Sequence, residues 1–295
     1  MSEIRRRLTP TRLRLLFGAV LLGVLAVQWV TMSPRTTAFL PGEPVVVADV
    51  APPQVSNDFD HLVRTDPLSA LERAAEEHRR IGDYTCTFIK QELLPSGLSD
   101  EQTIAASLRQ QPYSVLMHWV RNPGKAERVL YVKGRWTDPD AKNADEAELA
   151  VCQPGAIARL FVKSIKQPIH GSLAKEASRR YIDEFGFASS LQLLIKYSRI
   201  ARDRGELSLE YLGESRFDDR PTWVIERRLP YTGLHGIYPD RVAVVHLDKE
   251  WRIPVSVRCY ADDAKTQLLG RYEYVDVNLD VGLDDSVFEP HTYGM

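Results

Sequence analysis

Asp83-Tyr84-Thr85-Cys86-Thr87-Phe88-Ile89-Lys90-Gln91 is where the chain changes its period. Before it, Leu71, Ala74, His78 and Ile81 recur at helical spacing, with Asp66 suited to an N-cap, Pro67 to the first helical position and Gly82 closing the run. His78 falls on the apolar stripe, so the reading is a partly buried, hydrogen-bonded histidine rather than a ligand or base. From Asp83 onward apolar and polar residues alternate with period 2, which predicts strands over 84–91, 102–108, 113–120 and 126–132. Turn-forming pieces such as Pro95-Ser96-Gly97 and Asn122-Pro123-Gly124 separate them.

In the third run Tyr113, Val115, Met117 and Trp119 fall on one face, and Ser114, Leu116, His118 and Val120 on the other. Neither face is strongly polar, so one should pack on a core while the other also meets something apolar. Residues 133–155 are irregular and acidic and read as a solvated loop or insertion. A helix is expected over 185–202 with Phe187, Leu191, Leu194, Ile195 and Ser198 as its stripe, and a shorter one around 156–165. The last third returns to strands over 207–217, 222–229, 241–247, 254–261 and 268–277, joined by hairpins through Asp218-Asp219-Arg220-Pro221, 248–252 and Asp262-Asp263. About nine strands without strand-helix-strand alternation disfavour a parallel sheet and predict an α+β domain, one curved antiparallel sheet covered by two or three helices.

The N-terminus carries a different signal. The segment from Leu15 to Met32 is broken only by Gln28 and Thr31 and follows Arg5, Arg6, Arg7, Arg12 and Arg14. Its length suits a retained membrane anchor better than a cleaved leader, and the arginines hold the N-terminus in the cytoplasm. The expected order is a basic cytoplasmic tail over 1–14, an inner-membrane span over 15–32, a proline-rich spacer over 33–62 and a periplasmic domain over 63–295.

With 38 basic and 40 acidic residues and a net charge of −2, no bulk charge points to nucleic acid. GxSxG, GxGxxG, the P-loop and HExxH are all missing, and the histidines stand singly, so neither a nucleophile, a metal nor a cofactor is expected. Asp218-Asp219, Asp262-Asp263 and Asp284-Asp285 read as turn formers rather than a catalytic carboxylate pair. Three cysteines permit at most one internal bridge, Cys86 to Cys259 being one arrangement and buried free thiols the other. The aromatic residues in and beside the strands fit either ordinary core packing or the wall of an apolar pocket.

The run Asp83 to Glu92, with 111–119 (Gln-Pro-Tyr-Ser-Val-Leu-Met-His-Trp), 129–134 (Val-Leu-Tyr-Val-Lys-Gly) and 178–186 (Ser-Arg-Arg-Tyr-Ile-Asp-Glu-Phe-Gly), resembles an exported planctomycete family known as the domain of unknown function number 1571. The C-terminal grammar, Leu247-Asp248, Pro254-Val255, Arg271-Tyr272-Glu273-Tyr274 and the tail from Leu283 to Phe288, looks like that of the LolA-like superfamily of periplasmic lipoprotein carriers. The resemblance implies an incomplete antiparallel barrel, lidded by helices, around an apolar cavity that holds acyl chains, and it implies no catalytic residue. The expectation is therefore a membrane-anchored envelope protein that binds an apolar ligand, lipid or lipidated polypeptide without chemistry. Tyr113, Val115, Met117, Trp119, Val129, Tyr131, Trp223 and Ile225 are the candidate lining, although alternation does not tell which face points inward. The rival is an envelope scaffold with a filled core that binds a protein partner.

Overall fold

The computed structural model describes residues 58–295. The expected anchor over 15–32, and the spacer as far as residue 57, lie outside the described residues. Among those described, no helix is long and apolar enough to cross a membrane.

The first element is α1 (Asp58–Thr65), followed by α2 (Pro67–His78). The spacer expected over 33–62 therefore has helical residues at its end. Phe59 and Val63, both fully buried, are too short a pattern to show a helical period, and contacts made in the fold decide the matter: Phe59 packs on Trp223 with ring centroids 5.2 Å apart. In α2 the Asp66 carboxylate accepts from the Ser69 N–H at 3.2 Å and Pro67 opens the helix, as the sequence predicts. His78 is buried on the stripe, but its Nε2 has no hydrogen-bond partner. Burial lowers its pKa to about 4, so the ring is neutral.

The strands are β1 (Asp83–Leu94), β2 (Gly97–Leu98), β3 (Gln102–Gln110), β4 (Tyr113–Arg121), β5 (Ala126–Val132), β6 (Leu149–Pro154) and β7 (Ile165–Pro168), then β8 (Ser208–Phe217), β9 (Arg220–Arg228), β10 (Val242–Asp248), β11 (Pro254–Tyr260) and β12 (Leu268–Leu279). Residues 149–154 correct the expected loop: Leu149, Ala150 and Val151 are buried because β6 pairs between β5 and β7. The helix expected around 156–165 is shorter, Ala156–Arg159, and the chain then enters β7.

All pairings are antiparallel, in the order β7-β6-β5-β4-β3-β1-β12-β11-β10-β9-β8, with β2 on β1. Two meanders thus meet at a central seam, where Phe88 faces Tyr274 and Glu92 faces Gly270. The first runs outward from β1 to β7. The chain then crosses to the opposite end through α3 (Phe187–Asp203), and the second meander returns from β8 to β12. The sheet is open, with β7 and β8 as its ends.

Helices cover one face. α1 and α2 pack Phe59, Val63, Leu71 and Ala74 over Trp223, Ile225, Val245 and Leu247, while Phe185, just before α3, and Phe187, its first residue, pack over Tyr84, Phe88, Ile104 and Val115. Each fully buried phenylalanine contributes on the order of 2 kcal/mol. The other face of β4–β6 is covered by the chain's own C-terminal tail, where Phe288 packs on Leu116, Leu130, Val132 and Val151. That explains why neither face of β4 is polar. The hairpin β8–β9 turns on Asp218 and Asp219 at φ 49° and 57°, the two positive angles that a type I′ turn requires. Asp284 caps a 3-10 turn through Ser286.

Candidate functional site

At one end of the sheet, where β3 ends and β4 begins, a cleft of about 520 Å3 lies beneath the first turns of α3. Its walls are Gln110 and Tyr113 at the β3–β4 turn, Tyr131 and Lys133 at the end of β5, Glu148 before β6, Ile169 and His170 after β7, Asp183, and Ala188, Ser189 and Gln192 of α3. Strand ends and a helix start meet here because the chain returns to this level after β7, and α3 begins over the central seam, where Phe187 stacks on Tyr84.

Much of the polar lining is paired internally. The Tyr113 hydroxyl donates to the carbonyls of Phe185 (2.8 Å) and Ile182 (3.1 Å), fixing the turn before α3. The Tyr131 hydroxyl donates to the Glu148 carboxylate. Burial holds both phenols well above their ordinary pKa, and the Glu148 carboxylate adds to the effect at Tyr131. His170 Nε2 lies 3.0 Å from Asp183 Oδ2, and the His170 ring packs against Tyr181 with centroids 4.5 Å apart. Tyr131 and Ile169 are almost wholly buried in its walls, so a guest in this cleft meets the half-buried Tyr113 ring and polar groups already oriented by one another.

A second cleft, about 410 Å3, lies on the face away from the helices, between the β1–β3–β4 strip and the tail, and is lined by Thr85, Thr87, Ala105, Ser107, Leu116, His118, Arg128, Asp276, Asn278 and Tyr293 among others. Arg128 sits over the Tyr293 ring, 5.0 Å from its centroid, and burial lowers the pKa of His118.

All eight candidate lining residues fall on the helix-covered face, a choice of face that alternation leaves open, and they do not converge. Tyr113 and Tyr131 line the 520 Å3 cleft. Val115 and Met117 are buried in the core, Trp119 packs half-buried beside them, and Val129 packs half-buried beside Tyr131. Trp223 and Ile225 belong to the core under α1 and α2, six strand positions away from β4 in the sheet order, roughly 29 Å at the usual strand spacing. Trp223 Nε1 donates to Asp60 at 2.7 Å. The remaining cleft residues escape a sequence reading because they flank strands rather than recur within them.

Behind the seam, on the same face, the Glu92 carboxylate is 1% exposed. It accepts from Lys90 Nζ (2.9 Å), Ser178 Oγ (2.9 Å), the Arg179 N–H (3.2 Å) and the Tyr272 hydroxyl (2.9 Å). Burial pushes its pKa up, but the Lys90 charge and the hydrogen bonds outweigh it and hold it below the usual value. Gly270 opposite Glu92 leaves room for the Tyr272 ring, which a Cβ there would meet at 2.7 Å. Among the described residues no group of three or more His, Cys, Asp or Glu side chains could hold a metal ion. His118 on β4 and His246 on β10 are separated by four intervening strands.

A profile of the family described as "Protein of unknown function (DUF1571)" matches residues 81–293, more than half of the sequence. The chain belongs to that family. A comparison with curated proteins gives no match. Among solved structures, MucB is similar at 16% identity over 76% of this chain and 63% of its own, with a TM-score of 0.45. This chain thus spans less than two thirds of MucB. The lipoprotein LppX of Mycobacterium tuberculosis is similar at 12% identity over 75% of this chain and 100% of its own, TM-score 0.37. A putative outer membrane lipoprotein-sorting protein domain from Vibrio parahaemolyticus is similar at 15% identity over 76% and 98%, TM-score 0.34. The DUF1571 region takes in every strand from β1 to β12 and all of α3, and so contains the whole 520 Å3 cleft.

Proposed function

We propose that this is a membrane-anchored envelope protein that holds an apolar or amphiphilic guest, a lipid or lipidated polypeptide, without chemistry. Residues 15–32 would fix it in the inner membrane with the domain on the periplasmic side, a reading supported by the arginines that precede that segment. The observation that carries the binding reading is the 520 Å3 cleft, whose volume falls within the range of small-molecule sites. Tyr113 offers apolar surface there, Tyr131 and Ile169 being already almost wholly buried behind it, and each guest methylene buried in the cleft would contribute about 0.8 kcal/mol. The pairing of Tyr131 with Glu148 and of His170 with Asp183 leaves these groups shaped for holding rather than reacting.

One observation favours a second reading, an envelope scaffold. The space between the seam and α3 is occupied by rings: Phe88 lies 4.9 Å from Tyr274 and 5.1 Å from Phe185, and Phe187 lies 4.7 Å from Tyr274. Native mass spectrometry of the gently extracted full chain separates the two. The binding reading expects a lipid-sized adduct that Ala188→Trp, which fills the cleft, removes without altering the circular dichroism. No adduct on the native chain, or an equal adduct on Ala188→Trp, would overturn it in favour of the scaffold.

A further inference from the structure

The large apolar side chains that are more than half exposed are not scattered. Register places the ends of β1, β4, β6, β9 and β11 at one rim of the sheet, opposite to the rim that holds the cleft. Val120 at the end of β4, Ile157, Leu160 and Phe161 in the β6–β7 connection, and Leu234 and Ile237 in the β9–β10 connection all lie at that rim, each more than half exposed. Leu160 and Phe161 are the extreme, at 81% and 78%. The rim is continuous: Lys125 pairs with Glu176 at 2.7 Å, Ser178 reaches Glu92, and Arg179 Nη2 donates to the Pro239 carbonyl at 3.2 Å.

Charge decides the partner. From Leu149 to Lys175 the chain contains Arg159, Lys163, Lys166 and Lys175 and no aspartate or glutamate. Arg159 pairs with Glu127, which leaves the three lysines of that stretch flanking the apolar pair. Exposed apolar residues on a soluble rim mark a contact surface, and apolar tips bordered by lysine are the composition that seats in the interface of an anionic bilayer.

We infer that this rim docks onto an anionic bilayer surface, with Leu160 and Phe161 entering the interfacial layer and Lys163, Lys166 and Lys175 meeting lipid phosphates. The cleft then faces away from that surface, so the docking does not depend on whether the cleft holds a guest.

The test uses the full chain reconstituted into vesicles of phosphatidylglycerol and phosphatidylcholine, or of phosphatidylcholine alone. An environment-sensitive fluorophore is placed at Leu160→Cys, with Val281→Cys at the opposite rim as control. Cys152, which is half-buried, is changed to serine in both labelled variants, and Cys86 and Cys259 are buried, which directs the label to the introduced thiol. The docked rim gives a blue shift and quenching by spin-labelled lipid at position 160 in the phosphatidylglycerol vesicles. In Lys163→Gln/Lys166→Gln that signal falls by on the order of tenfold, and position 281 stays aqueous. A label at 160 that stays aqueous, that is quenched equally in both vesicles or equally at 281, or that is buried without vesicles in a particle of doubled mass, overturns the inference.

Discussion

Tyr84 and Phe187 stack with ring centroids 4.4 Å apart, and the Phe187 N–H donates to the Tyr84 hydroxyl at 3.3 Å. One pair thus fastens the start of the crossing helix to the central seam. Gly186 makes the approach feasible: its φ is 103°, and a Cβ there would collide with the Tyr84 hydroxyl and come within 2.8 Å of Leu108. Gly186→Ala therefore combines overpacking with an unfavourable backbone angle and should destabilise the domain by about 3 kcal/mol or more. Tyr84→Phe, which keeps the ring, should cost only about 1 kcal/mol. Urea denaturation followed by circular dichroism measures both, and equal midpoints for the two variants would contradict the packing described.

Arg227 Nη2 lies 3.0 Å from both oxygens of the Asp240 carboxylate, with side chains only 3% and 2% exposed. Removing one partner strands a buried charge. Asp240→Ala should cost about 3 to 5 kcal/mol, whereas Arg227→Met/Asp240→Leu should lie much closer to the native stability. A double-mutant cycle reports the coupling, and near-additive losses would show that the pair is wetter than its burial indicates.

The strands that carry the seam were legible because alternation over eight or more residues is hard to mistake, and α3 because Phe187, Leu191, Leu194, Ile195 and Ser198 do all turn inward. β6 was not legible: Ala150, Val151 and Cys152 form a short run behind an acidic stretch, and only pairing with β5 and β7 makes a strand of them. α1 was missed for the same reason, since Phe59 and Val63 gain their meaning from Trp223, far along the chain. Alternation put Tyr113 on one face of β4 with Val115, Met117 and Trp119 without telling which face points inward, and it could not find His170, Asp183 or Glu148. Those residues meet only because several strand ends reach one level.

Acid should weaken the fold in a defined window. Burial lowers the pKa of His78 and of His246 to about 4, below the ordinary 6.5. Between those values the unfolded chain binds a proton that the folded chain does not, so stability is fully present above about pH 6.5 and falls as the pH drops toward 4. Asp280 is the charge that opposes the effect at His78 without overcoming it. For His78, buried with Nε2 unpartnered, the loss over the window should be roughly 3 kcal/mol. His78→Leu should flatten that part of the curve of stability against pH. A variant that still loses as much between pH 6.5 and 4 would place the titration elsewhere.

The cysteines test the register directly. Cys259 pairs with Gly270, and Gly270 pairs with Glu92, six positions along β1 from Cys86. That offset alone is about 20 Å, whereas a disulfide needs Cα atoms within about 7 Å. A bridge between Cys86 and Cys259 is therefore incompatible with this sheet, and the three thiols are free. Burial pushes the thiols of Cys152 and Cys259 up to about 12 and moves Cys86 upward as well, so little thiolate exists near neutrality. A thiol reagent should modify the native chain slowly, with the half-buried Cys152 first, and all three residues quickly in urea. The unreduced chain should retain all three thiol hydrogens by mass. Rapid native labelling of Cys86, or a peptide joining Cys86 to Cys259 after unreduced digestion, would require β1 and β11 to pair in another register.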